Sequence, residues 1–90
     1  MQPLVVFSHG KESGPWGGKI RHLAACAEAV GCRVLSLDYT DLANPDARVE
    51  RLVQWPLGSY TRLVLVGSSM GAYVSLGASA SLQPHGLFLL

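Results

Sequence analysis

This chain has no excess of one charge. Seven Lys and Arg stand against six Asp and Glu, a formal net charge of +1, and the two signs are scattered. With no basic stripe to neutralise phosphates, no nucleic-acid partner is expected. Long apolar runs are also missing. The longest, such as Leu63–Val66 and Leu87–Leu90, are about four residues, against the roughly twenty of a membrane span. No membrane partner is expected. No basic segment followed by a long apolar one opens the chain, so no signal peptide is expected either. Cysteine is scarce: Cys26 and Cys32 fit neither a disulfide framework nor a zinc spacing. No metal site is expected, and the composition predicts a soluble protein of a reducing, cytoplasmic compartment.

What is present is apolar. Of 90 residues, 49% are hydrophobic and 14% charged, with mean hydropathy +0.28. Such a chain folds rather than staying disordered. A chain this short buries only about two thirds of its unfolded surface. So apolar a composition therefore predicts a single domain that has a partner or is part of something larger.

Short apolar runs alternate with amphipathic stretches, the pattern of an α/β protein with a parallel sheet. Leu4-Val5-Val6-Phe7 is continuous rather than alternating, as in a strand covered on both faces. Ser8 to Gly18 is a loop holding five glycine and proline residues. A helix over 18–30 follows, with Ile20, Leu23, Ala24, Ala27 and Val30 on one face and Gly31 as its left-handed stop. Arg33 to Leu37 is a second strand. Asn44-Pro45 starts a second helix, Asn as cap and Pro in the first turn. Val49, Leu52 and Val53 form its apolar side, and Pro56 to Gly58 closes it. Arg62 to Gly67 is a third strand and Met70 to Ser81 a third helix, with Met70, Tyr73, Val74, Gly77 and Ala78 on one side. Gly86 to Leu90 is a fourth strand. The order β-α-β-α-β-α-β predicts a doubly wound parallel sheet, with ligands outside the carboxyl ends of its strands.

Two of those ends carry chemistry. Gly67-Ser68-Ser69-Met70-Gly71 reads G-x-S-x-G and lies between an apolar strand and a helix, the setting of a nucleophile elbow. A strand that becomes a helix within about one residue strains the central Ser backbone and needs glycines where chains crowd. The Ser69 hydroxyl then stands at the positive end of the helix. The Met70 N–H points to the same place and can hold an oxyanion. The alternative is a plain strand–helix turn with Ser as helix cap. The other end is Ser8-His9-Gly10-Lys11. A His-Gly turn there can aim the Lys11 N–H at Ser69 as a second oxyanion donor. The His9 side chain is read as structural, bonded to nearby backbone, with substrate contact or an improvised base as alternatives.

The strand ends Val-Val-Phe-Ser-His-Gly and Leu-Ser-Leu-Asp-Tyr, with Leu-Val-Leu-Val-Gly-Ser-Ser-Met-Gly-Ala-Tyr, resemble the α/β-hydrolase superfamily, its small bacterial esterase-like members above all. The resemblance covers nearly the whole chain and matches the amino-terminal half of that fold. It implies cofactor-free acyl transfer on a small-molecule acyl substrate. Ser69 would be the nucleophile, and the Met70 and Lys11 amides the oxyanion hole. It also implies strand order second-first-third-fourth.

One departure is serious. In that family the acid and the catalytic His follow the nucleophile. Here only His85 does, ahead of the fourth strand and at the opposite end of the sheet, and no Asp or Glu occurs after Glu50. A serine hydrolase stripped of its base keeps roughly 10³–10⁴ of rate over water, so residues 1–90 alone are expected to be nearly inert. Three helices also cannot cover both faces of four strands. An apolar face near Val64, Leu65, Leu87 and Leu89 is expected to lie bare, as in a fragment or in a chain that pairs, with itself or another, through that face. A non-catalytic interaction module or decayed fragment is the alternative to an enzyme.

Other signals are weaker. Ser13 and Ile20 stand where a phosphate loop needs Gly and Ser/Thr. Lys11, Glu12 and Trp16 lie on a loop that either contacts substrate or is ordinary surface. Asp38, Tyr39 and Asp41 follow the second strand. Tyr39 is a possible substrate contact, and Asp38 is read as a turn former. His22 is expected on a helix surface, Cys26 and Cys32 as small buried residues, and Trp55 and Tyr60 as caps on the helix–strand packing.

Overall fold

Leu4-Val5-Val6-Phe7-Ser8 forms β1 (Leu4–Ser8), with all five residues buried. A continuous apolar run suits a central strand with cover on both faces. The computed structural model describes residues 1–90. In it β2 (Arg33–Leu37) and β3 (Leu63–Gly67) flank β1, and β4 (Gly86–Leu89) lies beyond β3. All pairings are parallel, and the order is β2-β1-β3-β4. Helices α1 (Gly18–Ala29), α2 (Pro45–Gln54) and α3 (Met70–Leu82) connect the strands in turn. The α/β class, the element order and the 2-1-3-4 sheet are as the sequence and its resemblance imply.

Local signals act as read. Gly31 takes φ +90° after α1. The Asn44 side chain accepts hydrogen bonds from the Asp46 and Ala47 N–H groups, and Pro45 opens α2. Two helix faces differ from expectation. Val30 is exposed, because α1 ends at Ala29 and Val30 is already its C-cap, outside helical geometry. Tyr73 is also exposed. The inner face of α3 is Gly71, Val74, Ser75 and Ala78, one residue around from the expected stripe. Helix α3 is apolar nearly all round, so its periodicity fixes the inner face poorly. Cys26 is exposed, not buried, while Cys32 is half-buried and packs against the core on the α1 side. Tyr60 packs against the core, while Trp55 is largely exposed.

The sheet divides the core in two. On one face Leu4, Val6, Leu63 and Leu65 pack with Leu52, Val74 and Ala78 of α2 and α3. On the other, Val5 and Phe7 pack with Ala24 of α1, with Val64 and Val66 alongside. The bare apolar area lies on the α1 side, an open groove that includes Val64, Val66, Phe88 and Leu90. Leu65 is fully buried, and Leu87 packs beneath α3. The expected patch is therefore right at Val64 and at the exposed Leu89 and wrong at Leu65 and Leu87. Side chains alternate faces along a strand, and a fully apolar run does not say which parity faces which helix.

Candidate active site

Pairing of Ser8 with Gly67 sets the end of β1 beside the end of β3. The chain between β3 and α3 is only Ser68 and Ser69. To make the turn, Ser69 takes φ 54° and ψ −123°, a left-handed conformation that a residue with a Cβ resists by about 1–3 kcal/mol. The glycines on either side have no alternative. A Cβ at Gly71 would lie 1.9 Å from the Ser8 carbonyl oxygen, and one at Gly67 would lie 2.0 Å from the Gly71 oxygen. Ser69 is exposed, and its side chain makes no capping bond to α3. A plain turn with Ser69 as cap would have that bond and no strain. The first helical amide, that of Met70, has no partner inside the helix. The Gly71 and Ala72 amides turn back to the Ser68 and Ser69 carbonyls at 2.8 and 2.9 Å.

Gly10 lies directly against the elbow: a Cβ there would sit 3.6 Å from the Ser69 Cβ. The Ser13 hydroxyl accepts from the Gly10 N–H at 3.0 Å. The next amide, that of Lys11, donates to no backbone carbonyl. A cleft of about 250 Å³ opens here, lined by Gly10, Ser13, Ser68, Ser69, the start of α1 and Leu90. Lys11 and Glu12 are exposed beside it.

Three possible substrate contacts fall elsewhere, and His9 is the structural histidine bonded to nearby backbone that the sequence favours. His9 is 1% exposed. Its Nε2 accepts from the Tyr39 N–H at 2.9 Å, so the ring proton is on Nδ1, which donates to the Gly10 carbonyl at 2.8 Å. With both nitrogens engaged, the His9 ring is neither a substrate contact nor an improvised base. Tyr39 is fully buried, and its hydroxyl pairs with that of Ser8 at 3.0 Å. Burial pushes its phenol pKa up, against the pull of the Ser8 bond. It does not line the cleft. Trp16 is exposed on the loop and does not line the cleft.

The other sequence candidates are loop formers or distant. The Thr40 hydroxyl and N–H bond the Asp38 carboxylate at 2.6 and 2.8 Å and hold its pKa below the ordinary range. Arg51 clasps Asp41 with two bonds of 2.6 and 2.9 Å, which lowers that carboxyl to about 2. His22 is exposed on α1. His85 accepts from the Leu63 N–H at 3.0 Å, at the start of β3 and away from the elbow. No imidazole is therefore placed to take a proton from Ser69. No group of three or more metal-ligating side chains exists, and no helix is long and apolar enough to cross a membrane.

One residue of the site escaped sequence reasoning. Arg48 of α2 is 2% exposed and reaches the Gly10 carbonyl at 3.2 Å. A signal existed: Arg48 is four residues before Leu52, on the helix's apolar face.

Comparison with known proteins agrees with this geometry at the level of the fold. No family model and no curated protein matches the chain. A crystal structure from Xanthomonas campestris pv. campestris, of a "putative hydrolase of the alpha/beta superfamily", is 33% identical with a TM-score of 0.78. The match covers 96% of this chain and 56% of that one, so the chain spans just over half the length of that protein. With four parallel strands in the order 2-1-3-4 and three helices, this chain has an α/β-hydrolase-like partial fold.

Proposed function

We propose that this chain is the elbow-bearing, amino-terminal half of a serine hydrolase that cleaves ester, thioester or amide bonds by acyl transfer. Ser69 Oγ attacks the carbonyl carbon, and the Met70 and Lys11 N–H groups hold the resulting oxyanion. The proton passes to a histidine outside residues 1–90, which returns it to the leaving group. No cofactor takes part. The carrying observation is the positive φ of Ser69 between two glycines that have no room for a Cβ. Strain of this kind persists where the surrounding structure enforces it, and it marks functional positions. Two free cysteines suit a cytoplasmic setting.

A second reading is a non-catalytic module that associates through the groove of Val64, Val66, Phe88 and Leu90. The exposure of Phe88 and Leu90, 59% each, favours it. A fluorophosphonate probe separates the two. Serine attack on phosphorus expels fluoride, so the full-length native product is expected to gain one adduct at Ser69 and none in Ser69→Ala. An unlabelled Ser69 in a product that self-associates through this groove would overturn the hydrolase reading in favour of the module.

A further inference from the structure

A buried guanidinium normally has a carboxylate partner, because stripping water from a lone cation is costly. Arg48 has none. The salt bridge of this protein joins Arg51 to Asp41. Arg48 instead spends its donors on carbonyls: Nε on Leu42 at 2.7 Å and Nη1 on Gly10 at 3.2 Å. Its guanidinium carbon lies 5.7 Å from the centre of the Tyr39 ring, over its face. A hydrophobic side chain would fill that space at less cost, so packing alone does not account for the charge.

The Gly10 carbonyl is the point on which these groups converge. It accepts from His9 Nδ1 at 2.8 Å and from Arg48 at 3.2 Å, two donors for two lone pairs, with the Ser13 hydroxyl at 3.4 Å. The peptide that follows is trans. In a trans peptide the C=O and the next N–H point in opposite directions. A carbonyl held inward by His9 and Arg48 turns the Lys11 N–H outward, on the side where no protein group bonds it. A charged donor on the oxygen also polarises the amide and makes its N–H a stronger donor.

We propose that Arg48 is a positioning residue, which with His9 locks the Gly10–Lys11 peptide so that its N–H serves as an oxyanion donor beside Ser69. The inference rests on the hydrolase reading of Ser69. By its Leu42 bond Arg48 also ties the turn after β1 to the loop after β2, so movement of either loop moves the donor.

The test uses the full-length native product, Arg48→Met, which keeps the stem and removes the donors, and Arg48→Lys, which keeps the charge. Nuclear Overhauser effects from the Lys11 amide proton, to the Ser69 side or to the Arg48 side, read where that N–H points, and phenylboronic acid supplies a tetrahedral adduct on Ser69. In the wild type the Lys11 N–H is expected to point away from Arg48, and the adduct to shift both the Lys11 and Met70 amides. In Arg48→Met the Overhauser contact of the Lys11 amide with the Ser69 side weakens and its adduct shift disappears, while the Met70 shift and the β1 contacts persist. Boronate affinity and kcat are expected to fall about 10²-fold with KM changed far less, and Arg48→Lys to recover part of the loss. An adduct that forms while Arg48→Met leaves the Lys11 Overhauser contacts and shift intact overturns the positioning role and leaves the hydrolase reading standing. No Ser69 adduct in the wild type overturns both. If neither variant folds, the wild-type Overhauser effects still decide: a Lys11 amide proton that contacts the Arg48 side and not the Ser69 side overturns the proposal.

Discussion

A single methyl group at position 71 would compete with the Ser8 carbonyl oxygen for the same space, since its carbon would lie 1.9 Å away. Backbone cannot yield there without breaking the β1–β3 pairing that brings Ser8 opposite Gly67. Gly71→Ala is therefore expected to cost about 3 kcal/mol or more, the upper end for overpacking, read as a lower midpoint in urea unfolding. Gly14→Ala is the control, because nothing lies within 4 Å of a Cβ there, and its effect is expected to stay within about 0.5 kcal/mol. The elbow was legible because its two glycines and central serine are adjacent in sequence. His9 was legible as a structural histidine, and its Nδ1 bond to the Gly10 carbonyl is local. Its second partner and the partner of Tyr39 were not legible, since those pairs are thirty and thirty-one residues apart.

Helix α2 begins where its sequence says it does. Asn44 Oδ1 takes the Asp46 and Ala47 amides at 2.8 and 3.1 Å, two donors that the helix cannot satisfy internally. Asn44→Ala is expected to lower stability by about 1 kcal/mol, as a drop in thermal midpoint with unchanged Ser69 chemistry. Strands were legible as runs and illegible as faces. Leu63-Val64-Leu65-Val66 has no polar residue to mark its parity, so sequence alone could not tell that Leu65 lies under α2 and α3 while Val64 faces α1. Helix α3 fails similarly: its inner face is set by small residues that let it approach the sheet, and Gly77 yields its space to Val49 of α2, 2.9 Å from where a Cβ would be.

Across the whole molecule, parallel pairing with crossover helices gathers the ends of β1, β2 and β3 at one edge, where such sheets hold ligands. That arrangement followed from the alternation of runs and amphipathic segments. The arginine that joins the loops at this edge did not, because a charge on an apolar helix face acquires meaning only once its distant carbonyl partners are in place. Serine hydrolysis at this edge requires Ser69 and the two amides to form one site. A crystal structure of the full-length native product treated with a fluorophosphonate tests this most directly. Phosphorus is expected to be bonded to Ser69 Oγ, with its oxygen about 2.7–3.2 Å from the Met70 and Lys11 nitrogens. An unmodified Ser69, or a phosphoryl oxygen turned to solvent away from both amides, would contradict this arrangement.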